Sequence, residues 1–179
     1  MAGTTAIAGL DGHSASISVS AKNKDADKFI MDFLTSADYS GKLYLDAPLS
    51  LPGVYSGLKG CSDYFYRKAD KEVGAMSPMF LGGLTARAMK LKAELSVKDI
   101  ELVEAYPKLM AKRLALPSAQ YKKEKKYIPE IASIVAEYFQ LNLPNLSSWH
   151  EVDAILALCI GLLPDLKAYG DPNEGLIYG

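Results

Sequence analysis

The sequence has few of the residues that disulfide-linked or membrane-spanning proteins need. Among its 179 residues only two are cysteines, Cys61 and Cys159, and their wide separation fits neither a zinc motif nor a redox pair. We therefore expect reduced thiols, as in a cytoplasmic protein. The longest apolar run, residues 154–163, is far shorter than the roughly 20 residues that cross a bilayer. Residues 1–10 lack the basic and apolar regions of a secretory signal, so we expect a cytoplasmic chain with no membrane partner.

An excess of charge of one sign is also absent. The chain carries 20 lysines and arginines against 21 acids, a net charge of −1. This balance excludes a uniformly basic nucleic-acid coat, although a local basic patch remains compatible with it. The length and the 49% apolar composition predict one domain over residues 1–179, with a core that needs no disulfide or structural metal.

Short strand and helix patterns alternate along the chain, which predicts the α/β class. Residues 5–10 and 14–20 flank Asp11 and Gly12 and predict a hairpin. A helix over residues 25–37 and a strand over residues 43–45 follow, an order that predicts parallel strand pairing. The later predicted elements are a strand over residues 99–105, a closing segment over residues 174–178, and helices over residues 81–95, 108–116, 122–141 and 148–169.

Three acids occupy the same kind of position along this pattern. Asp11, Asp46 and Glu104 each lie near the end of a predicted strand, the edge at which α/β proteins build sites. If these strands are neighbours, the carboxylates converge. Two carboxylates about 4 Å apart repel by roughly 4 kcal/mol at an effective dielectric constant near 20. A divalent cation between them is a common way to relieve that repulsion.

The last predicted helix adds a second set of polar residues. Ser148 and Glu151 have the spacing of a capping box, which places the start of the helix there. Asp153 then falls near the end of the first turn, on the same face as His150. Beyond Asp153 the helix is apolar on almost every side and should be buried. An imidazole and a carboxylate so placed can serve one metal ion.

Each of these residues also has a purely structural interpretation. Asp11 precedes a glycine and suits a hairpin turn, and Asp46 can cap the turn that follows it. Glu104 can be an ordinary polar residue on a partly exposed strand. His150 can be a satisfied histidine at a helix start, and Asp153 can complement the helix dipole. Only the joint placement of these residues favours a functional site.

Six short segments of the chain form a specific set through their order and spacing: residues 10–12, 45–49, 81–87, 103–107, 151–154 and 170–175. Together they resemble a family of predicted nucleases with a ribonuclease H-like fold. The resemblance extends over nearly the whole chain, from Ala6 to Tyr178. The family often has a further acid where this chain has His150.

The resemblance implies a central mixed sheet flanked by helices and a two-metal mechanism of phosphodiester hydrolysis. Asp11 would bridge two Mg²⁺ or Mn²⁺ ions, and Asp46 and Asp153 would each hold one. His150 or Glu104 would complete a coordination shell or position water. Asp11, Asp46, Glu104 and Asp153 are thus the predicted catalytic acids, and all but Glu104 join His150 as predicted metal ligands.

A nucleic-acid partner, DNA or RNA, would need basic residues to hold its phosphates. Residues 108–126 carry seven lysines and arginines and a single acid, and Arg87 lies in one of the matching segments. We take Arg87, Lys108 and Lys112 as candidate substrate-binding residues, although an ordinary solvated helix face explains the lysines equally well. A non-catalytic nucleic-acid-binding or regulatory module is the alternative function. A phosphotransferase of the actin and sugar-kinase type would normally need two such domains.

Overall fold

The computed structural model describes residues 5–21 and 25–179, which fold into two compact units. Unit 1 comprises Met1–Asp38 and Pro107–Leu163, and unit 2 comprises Tyr39–Tyr106 and Pro164–Gly179. The mixed α/β class is confirmed, and a single domain stays a prediction. The expectation drawn from residues 1–10 falls partly on residues 1–4, outside the described residues.

The strands are β1 (Ala6–Asp11), β2 (Ser14–Val19), β3 (Gly41–Leu45), β4 (Ile100–Glu104), β5 (Ala168–Asp171) and β6 (Gly175–Tyr178). The helices are α1 (Ala26–Ser36), α2 (Lys68–Val73), α3 (Pro78–Ser96), α4 (Pro107–Arg113), α5 (Ile128–Phe139) and α6 (Trp149–Gly161).

Unit 1 opens with the hairpin that the sequence predicts. β1 and β2 pair in antiparallel register, with Asp11 opposite Ser14. The two residues between them include Gly12 at φ +56°, a left-handed conformation that glycine adopts without steric penalty. The predicted helix over residues 25–37 is α1. It begins after Asp25, whose carboxylate accepts hydrogen bonds from the first free backbone N–H groups.

The last helix, α6, forms the core of unit 1. It packs against the hairpin, α4 and α5. Leu156 and Ile160 are completely buried, and each contributes about 1.5–3 kcal/mol to the stability of the fold. The predicted burial of this helix is therefore confirmed. Its predicted extension to residue 169 is wrong, because α6 ends at Gly161 and residues 168–171 form β5. Pro164 explains this end, since proline disfavours a helical conformation at the residue before it.

The helix predicted over residues 122–141 begins later in the structure. A short 3₁₀ turn, Lys125–Tyr127, precedes α5, which runs over Ile128–Phe139. Pro129 therefore lies in the first turn of α5, where its missing N–H group has no helical partner to lose. The break suspected at that proline is in fact the beginning of the helix.

Unit 2 is built on the parallel pair β3 and β4. Leu45 at the end of β3 lies opposite Glu104 at the end of β4. The order strand, α1, strand predicts that β3 pairs in parallel with β2, and this is wrong: β2 pairs with β1, and the parallel partner of β3 is β4. β5 and β6 form an antiparallel hairpin, and a single parallel bridge joins Ala105 to Tyr178. Helix α3 packs on β4, and α2 packs on the β5–β6 hairpin.

The sheets are smaller than the resemblance implies. The described strands form three two-stranded sheets instead of one central mixed sheet, so the ribonuclease H-like architecture stays a proposal. The weakly patterned stretch after residue 51 contains a 3₁₀ turn, Gly53–Ser56, and α2, which the sequence pattern does not predict. In the described part of the chain no helix is both long and apolar enough to cross a membrane.

Candidate functional site

Asp11 lies at the turn end of the unit 1 hairpin. It is the last residue of β1, its side chain is exposed, and it precedes the glycine of the two-residue turn. The turn interpretation of this residue is therefore confirmed. The exposed carboxylate is accessible to a ligand, and its metal-bridging role stays a prediction.

Asp153 is held by two residues of the segment before α5. The Tyr121 hydroxyl donates to Oδ1 of Asp153 at 2.6 Å, and Lys122 Nζ lies 2.8 Å from Oδ2. The Tyr121 ring packs edge-on against the ring of Trp149, the first residue of α6. Lys122 reaches Asp153 from a backbone at φ +59°, a left-handed conformation that costs a lysine roughly 1–2 kcal/mol. A lysine ammonium thus occupies the place of the predicted cation.

The remaining polar residues at the start of α6 are accounted for by capping. Ser148 accepts a long hydrogen bond from the backbone N–H of Glu151, whose carboxylate accepts from Ser147 and from the Ser148 hydroxyl. Burial raises the pKa of Glu151, but these hydrogen bonds outweigh it and leave the pKa below its usual value. Glu151 is therefore an ionised cap. His150 is the second residue of α6, and its side chain is exposed.

The basic segment, defined as residues 108–126, also lies in unit 1. Lys108 and Lys112 are exposed one turn apart on α4, and Lys123 is exposed on the segment before α5. Within the described chain none of these three lysines has a carboxylate partner, whereas Lys126 pairs with Glu124. Such an array presents positive charge to solvent, as phosphate binding requires.

In unit 2, Asp46 and Glu104 lie at adjacent strand ends. Asp46 is exposed and directly follows β3, at the end that pairs with Glu104 on β4. β3 and β4 are therefore neighbours, as the predicted convergence of the acids requires, but β1, which carries Asp11, pairs with β2 and with neither of these strands. Arg87, the candidate phosphate contact, is half-buried on α3.

Glu104, however, is not an exposed acid. Its side chain is only 7% exposed, so the interpretation as a polar residue on a partly exposed strand is wrong. Arg67 donates to both of its oxygens, at 2.6 and 2.7 Å, and the backbone N–H of Leu49 donates to Oε2 at 2.8 Å. Every oxygen of this carboxylate is satisfied by the protein. The contacts join β4 to the loop that follows β3.

Arg67 is the centre of this buried cluster. Its side chain is 0% exposed and donates to Asp70, Glu104 and Ser50. Burial alone would lower the pKa of Arg67, but the hydrogen bonds and charges of Glu104 and Asp70 raise it above its usual value. The arrangement joins three separate parts of unit 2, the loop after β3, the start of α2 and the end of β4, through charge-assisted hydrogen bonds, which are stronger than neutral ones.

A second buried carboxylate, Glu174, adjoins the first cluster through Lys68, the neighbour of Arg67. Its oxygens accept the backbone N–H groups of Gly53 and Lys68, both at 2.7 Å. The Cys61 thiol also donates to it at 3.8 Å. Burial first, then the charge of Glu174, raises the pKa of Cys61, and burial raises that of Cys159 to about 12. Both cysteines are free thiols, as expected.

Arg67, Asp70 and Glu174 are the residues that sequence reasoning missed. The R-x-x-D spacing of Arg67 and Asp70 is a usable signal, since it places both residues at one helix start. Glu174 lies in a segment that carries the resemblance but received no role. The clusters bring together three of those segments, residues 45–49, 103–107 and 170–175.

The residues as placed do not fit a resident Mg²⁺ or Mn²⁺ ion. Within residues 5–21 and 25–179 no group of three or more His, Cys, Asp or Glu side chains is arranged to hold a metal. Asp153 and Glu104 already have both oxygens bonded by protein donors. Divalent cations usually take six or more oxygen ligands, including carboxylates free to coordinate them.

Comparisons with known proteins leave the family open. No protein-family model matches this chain, and neither a curated protein nor a solved structure shows significant similarity to it. The resemblance to the predicted nucleases therefore rests on the six sequence segments alone.

Proposed function

We propose that this chain binds the phosphate backbone of a nucleic acid through the basic segment of unit 1, as a non-catalytic binding or regulatory module with a ribonuclease H-like fold. The observation that carries this proposal is the exposure of Lys108, Lys112 and Lys123, which have no carboxylate partner among the described residues. Unpaired lysines favour phosphate contacts because no internal ion pair has to be broken first.

Binding without cleavage is the better-supported form of this function. Lys122 and Tyr121 occupy both oxygens of Asp153, the acid expected to hold a metal on α6. Lys122 then has two possible anionic partners, Asp153 and a phosphate. Its side chain is 47% exposed, so a phosphate can approach it from solvent.

The test is the salt dependence of binding to a labelled nucleic acid in the presence of EDTA. Each phosphate contact contributes a slope of about 0.9 to the dependence of log affinity on log salt concentration. Lys108→Ala/Lys112→Ala should therefore weaken binding and lower the slope by about 2. The matched control is Lys90→Ala/Lys92→Ala, two exposed lysines on α3 in unit 2. Equal losses in both variants would contradict the proposal.

A metal-dependent nuclease is the second candidate function. The sequence resemblance favours it, together with the exposure of Asp46 directly after β3. Cleavage of DNA or RNA in Mn²⁺ that Asp46→Asn abolishes would establish this activity and displace the non-catalytic proposal. If the chain is instead a non-catalytic module that binds no metal, millimolar Mg²⁺ should leave its melting temperature unchanged.

A further inference from the structure

Unit 2 exposes a group of aromatic side chains that its core does not use. We define the aromatic patch as Tyr55, Tyr64, Phe65, Tyr66 and Phe80. Four of these residues are 50–64% exposed, and only Tyr66 is half-buried. The Tyr55 and Tyr64 rings meet edge-on at 6.0 Å, and the Phe80 ring contacts both Phe65 and Tyr66 at about 6 Å. Grouped exposed apolar side chains are a feature of interaction sites and ligand-binding grooves.

The backbone beneath the patch is fixed. Asp63 Oδ1 accepts the N–H groups of Phe65 and Tyr66, at 2.8 and 2.9 Å. The hydroxyl of Ser77, which is completely buried, donates to the carbonyl of Phe65. Lys71 holds the other oxygen of Asp63 at 2.6 Å. The rings are thus presented on a pre-organised turn, which reduces the entropy lost when a ligand binds.

The charges around the patch suit a polyanion. Residues 53–80 contain three carboxylates, and each is paired with a cation: Asp63 with Lys71, Asp70 with Arg67 and Glu72 with Lys68. Lys59 is exposed and has no ion-pair partner in the described chain. No unpaired acid of this segment therefore repels a phosphate, and one additional lysine attracts it.

We propose that the aromatic patch stacks unpaired bases, which makes single-stranded nucleic acid the substrate class of this protein. This inference rests on the proposed nucleic-acid function. Bases offer flat faces to aromatic rings without regard to sequence, and a nearby cation engages the phosphates between them. In a duplex those faces are covered by neighbouring base pairs, so the patch discriminates against duplexes. The rings pack tilted or edge-on against one another, so they do not cover each other's faces.

The test compares a labelled oligothymidylate of about 20 nucleotides with a duplex of the same length, in EDTA and about 0.1 M salt. Phe65→Ala/Phe80→Ala should weaken single-strand binding by about tenfold or more and leave duplex binding unchanged. Tyr138→Ala is the matched control, because Tyr138 is 55% exposed in unit 1 and contacts Phe139. The Phe65 and Phe80 side chains are more than half exposed, so Phe65→Ala/Phe80→Ala should keep the wild-type melting temperature.

A second measurement locates the contact directly. An oligonucleotide carrying 5-iodouracil should crosslink on irradiation to a peptide that contains Tyr64 and Phe65 or Phe80, as identified by mass spectrometry. Equal single-strand binding by the wild type and Phe65→Ala/Phe80→Ala would overturn the inference while leaving the proposed function intact. Binding of neither nucleic acid by the wild type would instead remove the proposed function. Concentration-dependent self-association that the double variant abolishes would assign the patch to a second copy of the chain and overturn base stacking.

Discussion

In unit 2 the carboxylates of Asp70 and Glu104 are enclosed around Arg67, whereas in unit 1 the carboxylate of Asp153 is held by a lysine that is half in solvent. The exposed fractions are 0% for Arg67 and 7% for Glu104, against 47% for Lys122 and 15% for Asp153. Both pairs join an acid near a predicted site to a cation of the same unit. The two ion pairs are similar in their contacts, but because one is buried and the other is partly in solvent, they differ in the free energy needed to separate them.

The difference teaches that an acid at a strand end is not by itself a functional site. A buried pair cannot be separated without leaving an uncompensated charge away from water, which costs about 3–5 kcal/mol. An exposed pair is replaced by water or by another ion at a cost of about 0–1 kcal/mol. Glu104 is therefore part of what holds unit 2 together. Lys122, with 47% of its side chain exposed, can turn to another anion, while Asp153 keeps its hydrogen bond from Tyr121.

Replacing Arg67 should have the largest effect. Arg67→Met leaves Asp70 and Glu104 buried with no cation, so we expect the free energy of unfolding to fall by about 3–5 kcal/mol. Urea denaturation at neutral pH measures the change. Lys68→Met is the matched control, because Lys68 lies next to Arg67 and pairs at 3.8 Å with Glu72 at the surface. Its effect should stay within about 0.5 kcal/mol. A loss below about 1 kcal/mol in Arg67→Met would show that the cluster is not structural.

The next largest effect is expected at Gly175, where the start of β6 lies close to Ser50 of the Arg67 cluster. Gly175 has φ +125°, and a Cβ there would lie 2.1 Å from the Ser50 hydroxyl oxygen, which accepts from Arg67. Gly175→Ala should therefore destabilise the protein by about 2–3 kcal/mol, from backbone strain and steric overlap together. Gly57→Ala isolates the strain, since Gly57 has φ +70° and nothing lies within 4 Å of its Cβ position. Its expected cost is about 1–2 kcal/mol. Equal losses in both urea titrations would mean that Ser50 moves aside without cost.

Much of the fold follows from local sequence pattern. The hairpin is predicted by alternation around Asp11 and Gly12, and α1 by an apolar stripe after Asp25. The sequence pattern misplaces the start of α5 and the end of α6, because Pro129 and Pro164 have opposite effects on their helices. A proline in the first turn begins a helix, and a proline after the last turn ends one. Pattern alone did not distinguish the two cases.

The candidate site was less predictable because partners distant in sequence decide what each acid does. Glu104 and Arg67 are 37 positions apart, and Glu174 and Lys68 are 106 apart. No periodicity connects such residues. Sequence reasoning therefore identified the acids near strand ends and missed the arginine that neutralises one of them. The basic segment was easier to recognise, since its lysines are consecutive or one helical turn apart.

Asp63 is a third kind of carboxylate, because it is paired with a cation near the surface of unit 2. Its contribution to stability should be visible in an acid titration. A hydrogen bond from Lys71, followed by the backbone N–H groups of Tyr66 and Phe65, lowers the pKa of Asp63 to about 2. Because the pKa in the folded state lies below the unfolded value, this carboxylate stabilises the fold above about pH 4. That contribution is lost as the pH falls from about 4 to about 2. Urea midpoints of wild type and Asp63→Asn should differ at pH 6 and converge near pH 2. A constant difference across this range would contradict the assignment.

The smallest effect is expected at Lys122, where it decides whether the Asp153 pair can exchange. Lys122→Gly removes the ion pair but also relieves the backbone at φ +59°, so the two contributions should nearly cancel. Gln140→Gly supplies the backbone contribution alone, because Gln140 has φ +53° and caps α5. The difference between the two variants in free energy of unfolding is then the stabilisation by the pair, expected below about 1 kcal/mol. A difference above about 2 kcal/mol would make the pair structural, like that of Arg67, and would leave Lys122 unable to turn from Asp153 to a phosphate.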